Sequence, residues 1–562
     1  MEEIFDAIVI GSGITGGWAA KELTEKGLKT IMIEYGRNVE HIKDYPTTNM
    51  YPWEFSHRGS VPYNIAKEYQ SVNTHYIFGE STLHFLKKDS EQEYIQEKPF
   101  AWIRGKQIGG RSLLWARQTQ RWSDFDFEGP LKDGFAVDWP IRYKDIAPWY
   151  SYVEKFVGIS GNKDGLETLP DGEFLPPFEL TCLDQHFQDY LKKEYTDRHL
   201  ISSRVANLST PNPIHLEQGR GQCQRRNLCE RGCPFGGYFS SNSSTIPWAQ
   251  KTGNLSIMPN TVVQSIIYDD DQKKAIGVKV IDVFTKDVRT ISAKIIFLNA
   301  SAMNSNLILL NSKSDRFPKG LANDNGLLGK YIAFHNYRGK VTAEFDELKD
   351  TNIEGRRPNA AFIPRFVNVY KQEKDFIRGY NTLINSSRMN LIEEGLFGDD
   401  LKEKLLNPKL GNWVITANMM GETIPKETST ITLDPVKKDK YGIPQARFSV
   451  DFDENDEKML KDFFKEFSDM FTKAGYSNIK TIDTKRVPGH ENHEMGGVRM
   501  GRDPNTSLLN EWNQLHLCKN VYVTDGACMT STASQNPSLT YMALTARAAN
   551  HAINDFKSKN VF

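Results

Sequence analysis

Three of the six cysteines, Cys223, Cys229 and Cys233, fall inside one short stretch, "GQCQRRNLCERGCPFGG", residues 221–237. Arg, Asn, Gly and Pro surround them, which predicts loop. Three readings compete. Reduced structural thiols are often buried and inert. Disulfides sit badly with an odd number and a reducing compartment. The third is metal ligation by thiolates. The spacing C-x5-C-x3-C-P lacks the close cysteine pairs of zinc sites, and the segment offers no histidine as fourth ligand. Iron–sulfur ligation fits better, with a Cys-Pro ending like that of bacterial ferredoxins. Three thiolates would suit a cluster of three irons, one thiolate to each. Spacing alone leaves the structural and the cluster readings open.

A second constellation opens the chain. "FDAIVIG" reads as a short, fully buried parallel strand, and "GSGITGGWAAKELTEKG" follows with Gly11, Gly13 and Gly16 in G-x-G-x-x-G spacing. A further apolar strand, "KTIMIE", ends at Glu34. Together these form a complete dinucleotide-binding βαβ fingerprint. Gly11 permits the tight turn, Gly13 admits a pyrophosphate, and Gly16 lets helix pack on strand. The helix N-terminus offers unpaired N–H groups to phosphate, and Glu34 is placed to accept hydrogen bonds from a ribose. The fingerprint does not separate FAD from NAD.

The C-terminal stretches "GHENHEMGGVRMG" (489–501) and "VYVTDGACMTSTASQNPSLTYMALTARAANHAI" (521–553) are polar and glycine-rich. The second opens on an apolar strand, and a helix is expected from near Pro537. Asp525, just after that strand, could hydrogen-bond the ribityl or pyrophosphate part of a flavin nucleotide. Here the sequence resembles the glucose–methanol–choline (GMC) oxidoreductases, flavoproteins that oxidise alcohols, over nearly its whole length. Their H-x-x-G-x-x-x-M reads His493, Gly496, Met500. Their second His or Asn before P-x-x-T reads Asn536, Pro537, Thr540. The resemblance implies an α/β fold, a Rossmann-like FAD-binding domain with an interleaved α+β substrate-binding domain. It implies His493 as base, with Asn536 orienting the same substrate oxygen; a base working near neutral pH is naturally a histidine. His490 misses the family spacing. Glu491, Glu494 and Arg499 read as supports for loop and flavin.

The segment "GKQIGGRSLLWARQTQRW" (105–122) is similar to the family's second flavin-contacting loop. Arg111 and Trp115 depart from the commoner pattern, and the Gly-Gly-x-Ser-x-x-Trp frame of the pyranose oxidase branch is met by Gly109, Gly110, Ser112 and Trp115. Some of those enzymes bond flavin through a His before the Trp. Leu114 stands there, so FAD is expected to be non-covalent. The alternative is a buried strand and turn with no cofactor contact. The block 254–312 is expected to add strands that contact adenine near Val262. The usual Ala-Gly after its last strand reads Ala300-Ser301.

Within this family, C-x5-C-x3-C marks bacterial dehydrogenases carrying a 3Fe–4S cluster, glucoside 3-dehydrogenases among them. The resemblance thus implies Cys223, Cys229 and Cys233 as cluster ligands, an electron acceptor such as a cytochrome c, and a sugar or glycoside oxidised at a ring hydroxyl. Cys182, Cys518 and Cys528 read as structural thiols. The alternatives are an oxygen-reducing pyranose or C-glycoside oxidase without a cluster, a nicotinamide dehydrogenase, and a non-catalytic flavin-bearing interaction subunit.

The 562 residues are too many for one simple core. Charged residues make up 25% and apolar residues 39%, a globular composition. The formal net charge of −1 predicts no general attraction to nucleic acid or acidic lipid. No run of about eighteen apolar residues occurs, so no membrane span is expected. The expected organisation is FAD-binding domain over 1–158, a substrate-domain excursion over 159–214, iron–sulfur loop and FAD-binding domain over 215–330, substrate-binding domain over 331–483, and catalytic motifs with the rest of the FAD-binding domain over 484–562. The aromatic-rich segment 45–100 is expected at the substrate entrance or a partner surface. The start "MEEIFDAIVIGSG" shows neither basic region nor cleavage site, which points to the cytoplasm. Cluster-bearing relatives are instead exported with a small subunit that carries a twin-arginine signal. The expectation is a periplasmic enzyme co-exported with such a partner; a cytoplasmic monomer is the alternative.

Overall fold

The structure is a computed structural model; it describes residues 4–351, 358–391, 395–407 and 409–558. Strand β1 (Phe5–Ile10) leads through a glycine turn into helix α1 (Ile14–Glu25), and the chain returns as β2 (Thr30–Ile33). β1 has no exposed side chain, as an apolar strand covered on both faces should. Strand β3 (Leu255–Met258), strand β4 (Val288–Leu298) with its following helix α2 (Ala302–Asn311), and strand β5 (Cys518–Val523) complete a parallel layer in the order β5-β4-β1-β2-β3. The first half of β4 pairs antiparallel with Lys274–Asp282, which pairs with Thr261–Asp269. Helix α3 (Ser538–Ser558) lays Ala548, Ala549 and Ala552 over this layer beside Ala19, Ala20 and Leu23 of α1. Small side chains on both helices allow that close approach.

A second, antiparallel sheet runs in the order Ser477–Asp483, Gly339–Phe345, Lys409–Glu422, Tyr380–Leu391, Ala361–Ile363, Ile201–Ser202. Gly339–Phe345 and residues 411–419 of its neighbour alternate in burial with period two. Ile415, Ala417 and Met419 pack under the helix Glu454–Lys473, whose Met459, Phe463, Phe467 and Met470 recur at helical spacing. Met420 and Leu383 face the other way. Asp453 caps that helix, its carboxylate accepting from the Asn455 and Asp456 N–H groups. The architecture is α/β, a doubly covered parallel sheet beside a helix-backed antiparallel one. The chain crosses between the layers several times, so residues far apart in sequence meet where the layers face each other. No described helix is long and apolar enough to cross a membrane.

Candidate active site

Between the layers lies a cavity of about 360 Å3, within the range of small-molecule sites. One end is formed by the β1–α1 turn. Gly11 has φ +95°, and a Cβ there would stand 2.3 Å from the Asn299 carbonyl oxygen. Gly13 has open space where its Cβ would be, on the cavity side. Gly16 does not line the cavity. A Cβ on it would stand 1.9 Å from the Gly11 carbonyl oxygen, so it is the packing glycine. Gly13 caps α1 without a side chain, leaving first-turn N–H groups available to an anion.

Glu34, at the end of β2, lines the cavity, but its oxygens are already engaged. It accepts from Ser12 Oγ at 2.6 Å, Ser12 N at 3.1 Å and Gly36 N at 2.8 Å. Burial raises its pKa, against those hydrogen bonds. Val262, on Thr261–Asp269, lines the same end. So do Lys87 and Arg104, buried basic residues that sequence reading did not single out.

In the second glycine loop, Gly110, Ser112 and Trp115 line the cavity, as does Leu114. Gly109 lies behind them with φ +90°, where a Cβ would fall on the Asn242 amide. Its N–H donates to Ser12 Oγ at 2.9 Å, tying the two glycine loops together. Asp525 lines the wall, accepting from Ser305 Oγ at 2.5 Å and Ala527 N at 3.0 Å. Burial pushes its pKa up to about 6. Ser301 takes φ 75°, ψ 151°, so the turn usually made by glycine persists here with a serine.

At the other end, His493 and Asn536 meet on the cavity wall, Asn536 Nδ2 lying 3.4 Å from His493 Nε2. Sequence reading missed the third member. His335, from a two-residue strand paired to Gly421 and Glu422, places Nδ1 2.8 Å from Nδ1 of His493. Burial, with His335, Arg111 and His75 nearby, holds the His493 pKa well below the usual histidine range. It is a neutral imidazole at neutral pH, able to take a proton.

Pro537 lines the cavity, but Thr540 does not; its hydroxyl is buried against Tyr150 OH at 2.7 Å. Tyr541, one helical turn beyond Pro537, faces the cavity instead. His490 is also outside, its Nε2 3.1 Å from Thr74 Oγ1. Glu494 holds the second glycine loop through a part-buried ion pair with Arg111, Oε1 to Nη1 at 3.0 Å. Glu491 lines the cavity, and burial lifts its pKa to about 8. Arg499 packs over the Tyr331 ring, away from the cavity.

The cysteine segment lies against the same site. Cys223, Cys229 and Cys233 are partly exposed, on irregular backbone with one short turn at Cys229–Arg231. Burial pushes the Cys229 thiol up to about 11, with Arg117 opposing and Cys223 and Cys233 adding to the rise. Arg117 also lines the cavity. Burial pulls its pKa down, but Cys229 and Glu230 more than restore it. Among the described residues no group of three or more His, Cys, Asp or Glu could hold a metal ion. The expected trio of thiolates is therefore not preassembled. Burial keeps Cys223 and Cys229 protonated. Cys518 and Cys528 are buried and Cys182 is half-buried.

The cavity fits a flavin dinucleotide. Asn299 Oδ1, Asn536 Oδ1, Glu491 Oε1, Arg104 Nε and Arg117 Nε are buried around it without a hydrogen-bond partner, a costly state that a polar occupant relieves. The glycine turn and helix N-terminus suit its phosphates, and the long apolar wall suits its rings. Residues 189–335 match the family described as GMC oxidoreductase in its N-terminal part, and residues 425–545 match it in its C-terminal part. The chain is 27% identical to the fructose dehydrogenase large subunit of Gluconobacter japonicus, over 98% of each chain. It is 26% identical to the 2-methyl-1,2-propanediol dehydrogenase of Mycolicibacterium austroafricanum, over 97% of this chain and 94% of that one. The paromamine 6'-oxidase of Streptomyces fradiae is 22% identical, over 100% and 93%. With the two-layer fold, the double glycine loop and the His493–Asn536 pair in one cavity, the chain belongs to the GMC oxidoreductases, FAD-binding enzymes that oxidise CH–OH donors.

Proposed function

We propose that this enzyme is an FAD-dependent dehydrogenase that oxidises a ring hydroxyl of a sugar or glycoside to a ketone. The carrying observation is the 3.4 Å approach of Asn536 Nδ2 to His493 Nε2 on the wall of one cavity. A substrate hydroxyl reaching both from the cavity side would accept from the amide and give its proton to the imidazole as the C–H bond breaks. Bound FAD supplies the hydride acceptor for that carbon. Tyr76, Tyr337, Leu383 and Met420 make an apolar wall for the C–H face of a sugar ring, while Gln118 and Arg117 offer hydrogen bonds to its hydroxyls. Oxidation at C3 is supported by the resemblance to glucoside 3-dehydrogenases alone. Anaerobic mixing with a panel of methyl glycosides and simple alcohols tests the reading: a glycoside should bleach the flavin fastest. Bleaching by alcohols and by no glycoside would reject it.

The finer reading is that electrons leave through a 3Fe–4S cluster on Cys223, Cys229 and Cys233 to a one-electron acceptor such as a cytochrome c. Its supports are the spacing, the thiol donors, and Arg117, which touches both the cavity and the field of Cys229. Next to this segment Tyr51 and Trp53 stack in the open, 60% and 65% exposed. Arg231 bonds the neighbouring Met50 carbonyl. An aromatic patch rimmed by arginines suits a protein partner, in keeping with a small subunit that would carry the pair to the periplasm. The relative from Gluconobacter is itself named a large subunit. Oxygen reduction at the same rate as cytochrome reduction would favour the oxidase reading instead.

A further inference from the structure

The ring of His335 has two faces to its hydrogen bonding. Its Nε2 lies 3.0 Å from the Ala533 carbonyl oxygen and 3.2 Å from that of Thr532. Two carbonyls accept and cannot donate, so Nε2 must carry the hydrogen. The ring is fully buried, which opposes a second proton. Its Nδ1 therefore presents a lone pair, and the group 2.8 Å away, His493 Nδ1, must be the donor. A neutral imidazole has one hydrogen. With that hydrogen on Nδ1, the lone pair of His493 falls on Nε2, the atom facing Asn536 Nδ2 and the cavity.

We infer that His335 is the positioning residue that fixes His493 in the one tautomer able to take a proton from substrate. The inference rests on His493 being the base. The surrounding backbone makes the arrangement rigid. Ala333 and Met495 exchange backbone hydrogen bonds of 3.0 and 3.1 Å, locking the His335 strand to the His493 loop. The carbonyls that orient His335 belong to the loop that carries Asn536 three residues later. The base, its orienting ring and the neutral partner are thus joined in one closed circuit, the two rings edge to face at 84° with centroids 4.9 Å apart. Without the acceptor at position 335, His493 is free to place its hydrogen on Nε2, where it blocks proton transfer.

The test has two arms. In holoenzyme labelled with 15N-histidine, with the His493 signals assigned by their loss in His493→Ala, the resting base should show a protonated Nδ1 and a bare Nε2 at neutral pH. A protonated Nε2 would overturn the inference on the wild-type protein alone. The second arm measures anaerobic flavin reduction by a methyl glycoside in His335→Leu, His335→Asn and His493→Ala. His335→Leu, lacking the acceptor, should keep flavin bound and slow reduction by about 10²-fold or more. His335→Asn can set its Oδ1 where Nδ1 stood and should recover at least about tenfold of that loss. His335→Leu at the wild-type rate beside a slow His493→Ala would reject the role of His335 and leave the base standing. A fast His493→Ala would reject the base itself.

Discussion

Gly16 and Gly11 approach so closely that a methyl group on Gly16 would stand 1.9 Å from the Gly11 carbonyl oxygen. Gly13, between them, has φ −65° and nothing within 4 Å of its own Cβ position. The three glycines of one motif therefore answer to different physics. Gly16→Ala must push α1 off β1 and should cost about 3 kcal/mol of stability. Gly13→Ala should leave the apoprotein as stable as before and put its methyl into the cavity at the α1 N-terminus, so flavin content should fall. Urea unfolding of the two apoproteins, with flavin content after reconstitution, separates these effects. Equal stability loss in both would contradict the assignment.

His493 and His490 are three residues apart, yet only His493 reaches the cavity. His493→Ala should leave the flavin spectrum intact and slow flavin reduction by about 10²-fold or more, the loss expected for a positioned base. His490→Ala should change that rate by less than about fivefold. Stopped-flow reduction under anaerobic conditions reads both.

How much of this was legible in sequence depends on how local each cause is. The β1–α1–β2 unit was legible because turn, strand and helix are encoded within one short run, and the glycines have no other reason to be there. Pro537 and Asn536 were legible as a motif. Thr540 was not, because the helix carries it about 100° round from Tyr541, onto the face that packs against Tyr150. Gly109 reads like Gly110 in a Gly-Gly pair, but only the fold decides which one touches the cavity. His335 is a lone histidine in "AFHNY", 158 residues from His493. It becomes visible only when the antiparallel sheet brings Gly421 and Glu422 beside it. The cysteine spacing marked three thiols for metal ligation, but spacing cannot tell whether they converge, and the described residues show no preassembled metal group.

The buried histidines give the protein a one-sided pH response. Burial first, then the nearby His335, Arg111 and His75, lower the pKa of His493 well below 6.5, and burial with Arg486 lowers that of His490 to about 4. Burial likewise lowers His335 to about 4. The base therefore stays neutral across neutral pH, and flavin reduction should be flat there, falling only below the ordinary histidine range. Stability follows the same sign. Between the folded values and 6.5 the unfolded chain binds more protons, so stability should fall as pH drops below about 6.5. Rate and unfolding free energy measured over that range check both limbs. A rate that halves near pH 6.5 would contradict the depressed value.

Ser301 holds φ 75°, ψ 151°, a region populated almost only by glycine. It stands at the cavity wall where β4 gives way to α2, between the β1–α1 turn and Asp525. Ser301→Gly relieves that strain, less the entropy a glycine loses on folding. The net gain should be about 1 kcal/mol, with flavin binding unchanged. Denaturant unfolding measures it; destabilisation would mean that the serine hydroxyl, 3.3 Å from Asn304 Nδ2, matters more than the backbone.

The cysteine segment makes the sharpest division between the readings of this enzyme. Cys229 is half-buried near Arg117, its thiol pushed up to about 11. A thiol so placed is a poor nucleophile and a poor ligand until a metal displaces its proton. If three irons supply that pull, holoprotein from iron-replete cells should contain about three irons per chain. Cys229→Ser should then lose iron and slow electron delivery to a cytochrome. Flavin reduction by substrate should hold, because His493 and Asn536 lie on other elements. A purely structural thiol predicts the reverse: no iron, and a serine variant with unchanged electron delivery. Iron-free protein that reduces a cytochrome at full rate would remove the cluster and leave the three cysteines as the wall behind Arg117.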